Sequence, residues 1–269
     1  MILILKYIVL GIIQGFTEPL PISSSGHIYI FKQLFQINET FNDLNFEIIV
    51  NFGSLIAILI IYFKDIKYLI INFFKYFKIK NEETELSFKY CLLIILGCIP
   101  IGIAGLLLKD KIESMLQSTT IVGISFLITS LFLFLVKNIK GNKETKDLTY
   151  KDAIFIGLVQ IIALFPGISR SGSTLIAALF RNIKRSDALK YSFMLYIPIS
   201  FGTIILGVKD ILNTPNLKSI ALSYTLGFVT SLIVSYFTLK WFMNAVRKGN
   251  LLYFSIYCLI IGIFVLIIL

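Results

Sequence analysis

Residues Gly11–Gly26 read "GIIQGFTEPLPISSSG", and residues Gly157–Gly172 read "GLVQIIALFPGISRSG". The two stretches align without a gap at an offset of 146, pairing Gly11 with Gly157, Gln14 with Gln160, and "IS-S-G" with "IS-S-G". Gly53 in "NFGSL" and Gly202 in "SFGTI" fall at the nearly equal offset of 149, so the likeness continues into the next apolar run. Self-similarity at a fixed spacing marks a duplicated unit, and the chain reads as two copies of one half.

The content of each half follows from where charge is missing. Hydrophobic residues make up 57% of the 269 and charged ones 15%, with a mean hydropathy of +0.87, well outside the mix of a soluble domain. The long uncharged runs are Ile48–Phe63, Tyr90–Leu108, Ser114–Val136, Tyr191–Val208, Ser219–Leu239 and Gly249–Leu269. Five of them reach the length of about 18 or more residues that spans a bilayer core, and the first falls slightly short. Four pieces, Tyr7–Thr17, Pro19–Phe31, Ala153–Ser169 and Ser171–Phe180, are too short to cross and come in adjacent pairs. Pairs of this kind read as re-entrant helical hairpins, because irregular backbone at membrane depth needs protein or water around it.

The expectation is an all-α polytopic membrane protein, a single membrane domain over residues 1–269, with six transmembrane helices and two re-entrant hairpins. The first repeat covers 1–136, with its hairpin at 7–31 and three spans; the second covers 153–269, with its hairpin at 153–180 and three spans. Three crossings per half set the second copy upside down, which makes an inverted-topology repeat whose hairpin tips meet near the midplane.

Loop charge gives an orientation. Eighteen Lys and Arg fall in the segments 64–89, 137–151, 181–190 and 240–248, against six at the other ends of the spans. The richer side is cytoplasmic by the positive-inside rule, which turns both termini and the first hairpin outward. The net charge of +10 therefore reflects topology rather than nucleic-acid binding. Lys6 precedes an apolar run, but no small-residue cleavage site follows, so a signal peptide is not expected. Cys91, Cys98 and Cys258 lie in predicted spans without metal or redox spacing.

Glu18 and Arg170 are the ionisable groups placed deepest, each at about 2.5–3.5 kcal/mol on insertion scales. Gln14, Ser23, Ser24, Ser25, His27, Ser169, Ser171, Ser173 and Thr174 crowd the same two tips, more polar groups than one structural ion pair needs. Gln14 and Glu18 are four apart and Ser24 and His27 three apart, spacings that share a helix face. In the second tip, Pro166 and Gly167 break the chain and "SRSGST" opens a helix whose free N–H groups and dipole favour an anion. Arg170 adds a planar fork suited to phosphate oxygens. An anion clamp facing a carboxylate that can hold a divalent cation beside a nucleophile or base suits phosphoryl transfer, and a midplane site suits a lipid phosphate or pyrophosphate.

At these residues the sequence resembles the undecaprenyl pyrophosphate phosphatase family, the bacitracin-resistance type of membrane enzyme. The family's (E/Q)xxxE signature corresponds to Gln14–Glu18, followed by "PLPISSSGH" to His27, and its PGxSRSxxT signature to "PGISRSGST" from Pro166. The likeness extends through "FEIIVNFGS" and "LTYKDAIFIGLVQ" and so covers most of the chain.

The resemblance implies a bacterial inner-membrane, multi-pass enzyme that hydrolyses undecaprenyl pyrophosphate to the monophosphate carrier and inorganic phosphate, for peptidoglycan and envelope polymer synthesis. It implies a divalent cation, Mg²⁺ or Ca²⁺, for which Glu18 is the expected ligand by the tip chemistry, and the loop charges give a site opening to the outer face. Carried over by position, Glu18, Ser24, His27 and Arg170 are catalytic, and Gln14, Ser23, Ser25, Ser169, Ser171 and Thr174 bind substrate. The attacking group is left open among Ser24, His27 and water. Expected partners are the polyprenyl pyrophosphate, membrane lipids and a second copy in a homodimer. The competing reading from fold logic is a lipid-phosphate transporter or flippase, which needs binding groups but no nucleophile.

Overall fold

A computed structural model of the chain describes residues 2–36, 43–108, 118–213 and 217–269. Helix α1 (Ile2–Thr17) is followed by α2 (Ser24–Leu34), α3 (Asp43–Ile61), α4 (Phe63–Lys75), α5 (Glu82–Leu107) and α6 (Thr119–Val136). The second half holds α7 (Tyr150–Gln160), a 3-10 turn at Ile161–Leu164, α8 (Arg170–Phe180), α9 (Arg185–Leu212), α10 (Leu217–Arg247) and α11 (Leu251–Ile268). Among the described residues the structure is helical, with one isolated bridge between Lys143 and Ile183.

Helices α5, α6, α9, α10 and α11 are long and apolar enough to cross a membrane, and α3 with α4 makes a sixth candidate, bent by 74°. The protein is thus a polytopic membrane protein. The four short pieces correspond to α1, which begins ahead of Tyr7 at Ile2, α2, which begins only at Ser24, α7 with its 3-10 turn, and α8. The start of the expected span at Ser114 lies outside the described residues.

The bend after Ile61 has a simple cause. Lys64, Lys67 and Lys75 follow within the next four turns, and carrying each into hydrocarbon costs about 2.5–3.5 kcal/mol. The chain turns aside instead, and α4 forms where the sequence suggests only a basic loop.

Close helix approaches rest on small residues, as expected where lipid supplies no hydrophobic drive. A Cβ on Gly11 would lie 2.4 Å from the Gly227 carbonyl of α10, and one on Gly157 would lie 2.5 Å from the Gly97 carbonyl of α5. The contacts match further: Gly227 faces Phe46 and the Tyr7 carbonyl, and Gly97 faces Leu195 and the Ala153 carbonyl. Tyr7 and Ala153 are 146 apart, and Phe46 and Leu195 are 149 apart. Serines join α3 to α10, where Ser231 Oγ donates to the Val50 carbonyl at 2.7 Å and Ser235 Oγ to Ser54 Oγ at 2.8 Å. Helices α6 and α11 pair through reciprocal bonds from Ser130 Oγ to the Ser255 carbonyl, 2.7 Å, and from Ser255 Oγ to the Ser130 carbonyl, 2.8 Å.

The basic segments gather at one end of the bundle. Asp152, with no exposed side-chain surface, takes Arg181 Nε at 2.6 Å and Lys143 Nζ at 3.2 Å. Burial alone would push its carboxyl up, but Arg181, Thr149 and Lys143 hold it below the usual carboxylate range. Lys190 pairs with Asp65, and Lys184 with Glu144 at 2.5 Å. At the other end Lys6 Nζ donates to the Phe35 carbonyl at 2.6 Å, and Lys32 pairs with Glu47 at 2.6 Å.

Candidate active site

Two chain breaks meet inside this bundle. Helix α1 stops at Thr17, ahead of "EPLP"; Pro19 and Pro21 bring no N–H, so the carbonyls at this end need partners from elsewhere. The second tip supplies them. Ser171 Oγ donates to the Leu20 carbonyl at 3.0 Å and lies 3.3 Å from the Glu18 carbonyl, and Ser169 Oγ reaches the Leu20 carbonyl at 3.3 Å.

Each tip then opens a helix. Ser23 caps α2 by accepting from Gly26 N at 3.2 Å, and Ser169 caps α8 by accepting from Gly172 N at 3.0 Å. Ser23 holds φ at +68°, a conformation that costs a residue with a Cβ about 1–3 kcal/mol and is found where surrounding structure enforces it. Gly167, at φ +89°, could carry no Cβ, which would sit 2.8 Å from Ser125 Cβ and 2.9 Å from the Val122 carbonyl. The N-termini of α2 and α8 both lie in this junction, so two sets of free N–H groups and two positive dipole ends meet there.

The side chains form a network centred on Glu18. Its Oε1 accepts from Arg170 Nη2 at 2.8 Å; its Oε2 accepts from Gln14 Nε2 at 3.0 Å and from the Ser24 hydroxyl. Glu18 is 8% exposed, while the Arg170 side chain keeps 20%. Ser24, Ser25, Arg170 and Ser171 are the half-buried members of the two tips, so one carboxylate-bound hydroxyl and one guanidinium share the accessible wall.

Other expected binding residues are placed differently. Gln14, Ser23, Ser169 and Thr174 are buried and already hydrogen-bonded: Gln14 to Glu18, Ser23 and Ser169 in the caps, and Thr174 Oγ1 to Ser192 Oγ. They hold the tips together. His27 also departs from the expected carboxylate, hydroxyl and imidazole set: its Nδ1 donates to the Ser23 carbonyl at 2.6 Å, and its Nε2 pairs with the Tyr257 hydroxyl of α11 at 2.7 Å. The rings of His27 and Tyr257 stack, and the Phe126 edge closes the other side. Three residues along α2 from Ser24, the imidazole follows its own contacts.

Residues that sequence reasoning missed complete the site. The Arg170 guanidinium lies 4.4 Å from the Tyr196 ring centre, and the Tyr196 hydroxyl donates to Asn51 Oδ1 at 3.2 Å. An amide within an apolar run is the signal that could have found Asn51, whereas Tyr196 has no local signal.

Among the described residues no group of three or more His, Cys, Asp or Glu converges. Glu18 is the one carboxylate at the tips, with the Gln14 amide beside it. That does not make a protein cage, but it fits a hard cation held by one carboxylate and substrate phosphates, the manner in which Mg²⁺ is often bound.

The chain is similar in sequence to known proteins along nearly its whole length. Residues 7–264 match the family described as "Bacitracin resistance protein BacA". The chain is 47% identical to the "Undecaprenyl-diphosphatase" of Oceanobacillus iheyensis, over 98% of its own length and 96% of the relative's. It is 44% identical to "Undecaprenyl-diphosphatase 1" of Bacillus cereus, over 98% and 97% of the two lengths, and 44% identical to the Bacillus licheniformis protein of that name, over 99% and 98%. The chain belongs to the BacA family of bacitracin resistance proteins.

Proposed function

We propose that the chain hydrolyses undecaprenyl diphosphate to undecaprenyl phosphate and inorganic phosphate. The observation that carries this reading is the bond from the Ser24 hydroxyl to Glu18 Oε2, with Arg170 on Glu18 Oε1: a nucleophile on a base, beside a phosphate clamp. Relatives spanning nearly its full length bear the name of that activity. A transporter has no need of the hydroxyl–carboxylate pair, and that reading is not favoured.

In the proposed mechanism the diphosphate lies against Arg170 and the N-termini of α2 and α8. Ser24 Oγ attacks the terminal phosphorus, Glu18 takes its proton, and the bond to the bridging oxygen breaks to release the lipid monophosphate. Glu18 passes that proton to the departing monophosphate. The freed carboxylate then takes a proton from water, whose oxygen attacks the phosphoserine phosphorus, and returns it to Ser24 Oγ as inorganic phosphate leaves. His27, with both ring nitrogens engaged, positions the start of α2. Glu18, the Gln14 side-chain oxygen and the substrate phosphates would hold Mg²⁺ or Ca²⁺, which supplies charge neutralisation when bound. Glu18, Ser24 and Arg170 come from one chain, so a homodimer is not required for a complete site.

The surrounding architecture is read as an inverted-topology repeat with two re-entrant hairpins, in repeats 1–136 and 153–269. The matched contacts of Gly11 with Gly227 and Gly157 with Gly97 support it. The basic end faces the cytoplasm across the inner membrane, on the weight of the loop charges, and the site opens to the outer face.

The test is phosphate release from a long-chain polyprenyl diphosphate by the purified chain in detergent with Mg²⁺ or Ca²⁺. Release is expected, and its loss on chelation supports the cation. No release under either cation overturns the proposal.

A further inference from the structure

Helix α4 has three faces. Ile66, Leu69, Asn72, Phe73 and Tyr76 are at least half-buried against the protein, and Phe73 and Tyr76 stack on Phe88 of α5. Next to this face runs an exposed apolar stripe, Phe63, Ile70, Phe74 and, in the turn beyond, Phe77. The third face is mainly basic: Lys64, Lys67 and Lys75 lie within about one quarter of the helix circumference, with exposed Ile71 among them, and Lys78 follows in the turn beyond. All four are exposed, and no carboxylate among the described residues pairs with any of them. The one acid on α4, Asp65, is engaged by Lys190 of α9, so it does not neutralise the row.

This order of faces, protein, then apolar, then cationic, belongs to a helix lying in the plane of the interface. The 74° bend from α3 sets α4 across the end of a span. A row of lysines directly after a span, beside side chains that enter the acyl region, meets lipid phosphates at the level where the bilayer presents them. We propose that the row Lys64, Lys67, Lys75 and Lys78 is a binding site for anionic phospholipid headgroups, with Phe63, Ile70, Phe74 and Phe77 seated among the acyl chains of the same lipids. The site is separate from the tips around Glu18, and the proposal does not depend on the hydrolase reading.

The test uses the full chain in neutral detergent, titrated with phosphatidylglycerol and, separately, phosphatidylcholine, with bound lipids counted by mass spectrometry of the intact protein. Wild type is expected to retain phosphatidylglycerol at about tenfold lower concentration than phosphatidylcholine, and to lose this preference as salt rises. Combining Lys64→Gln, Lys67→Gln, Lys75→Gln and Lys78→Gln should bring the two lipids to parity. A control with Lys140, Lys151, Lys240 and Lys248 changed to Gln removes four exposed lysines from the same end of the molecule and should keep the preference. The proposal is overturned if the α4 variant still selects phosphatidylglycerol, or if the control loses selectivity to the same degree, which would mean diffuse attraction. Undiminished polyprenyl diphosphate hydrolysis by both variants would show them folded.

Discussion

The two tips share a frame and differ in their chemistry. Ser23 and Ser169 cap their helices through the N–H of Gly26 and Gly172, and each hydroxyl lies near the serine two residues on, at 3.4 Å to Ser25 and 3.2 Å to Ser171. Even the next contact is conserved in form: His27 Nδ1 bonds the Ser23 carbonyl at 2.6 Å, and Ser173 Oγ the Ser169 carbonyl at 2.8 Å. Where the copies diverge, at Glu18 against Leu164, Ser24 against Arg170 and His27 against Ser173, one tip gains a carboxylate with a hydroxyl bonded to it and the other a fixed cation. The shared residues build two helix N-termini, and the differing ones make them complementary.

The strongest break of this comparison gives one tip the residue of the other. Arg170→Ser, which copies Ser24 into the second tip, should lower phosphate release by about 10³-fold or more, because the clamp neutralises charge that grows in the transition state. Ser24→Ala should cost a similar factor in kcat if the hydroxyl attacks, whereas a loss below about tenfold would favour direct attack by water. Removing one partner of a buried ion pair also destabilises by about 3–5 kcal/mol, so thermal unfolding must accompany both assays. Glu18→Gln, which keeps shape and can still accept from Arg170, separates lost chemistry from lost folding.

Gln14 sharpens the comparison at a second level. Its amide orients Glu18 across one helical turn, and Gln14→Leu should reduce kcat about 10–100-fold through a misplaced base, with little change in KM. A matching rise in KM alone would mean that Gln14 touches the substrate instead.

Both tips could be found in the sequence because duplication leaves an alignment and because polar residues are conspicuous between apolar runs. Caps, breaks and the Glu18–Arg170 pair all follow from residues within those two motifs. What stayed hidden depends on contacts across the fold. Tyr257 lies 230 residues from His27, and nothing in "SSSGH" signals that the imidazole will turn toward it. Tyr196 sits in an apolar helix and matters only through the guanidinium stacked on it. Helix α4 was masked for another reason: its lysines recur every few residues, so a search for uncharged runs discards the segment although its periodicity is helical.

Tyr196 offers a smaller effect on one tip only. A guanidinium over an aromatic face gains about 0.5–2 kcal/mol, and here the ring also fixes the plane of Arg170. Tyr196→Leu should raise KM about tenfold with a lesser fall in kcat, while Tyr196→Phe, which keeps the ring and gives up only the bond to Asn51, should stay within about threefold of wild type. Equal damage from both variants would assign the effect to the hydroxyl rather than to the ring.

The smallest predicted change tests the comparison from the tip that carries no carboxylate. Gln160 occupies the position matching Gln14, but the residue four further on is Leu164 where the first tip has Glu18. Its side chain is fully buried, and neither amide atom has a hydrogen-bond partner among the described residues. A buried polar group without a partner is destabilising, and replacing it with an apolar side chain of similar size is neutral or favourable. Gln160→Leu should therefore raise stability by about 1 kcal/mol, seen as an increase of about 2 °C in the unfolding midpoint, with phosphate release unchanged. The same substitution at Gln14 removes a bond to the Glu18 carboxylate, so of the two variants only that one should lose activity. If Gln160→Leu instead unfolds at lower temperature or loses activity, the second amide has acquired a role of its own, and the two tips differ less than their hydrogen bonds indicate.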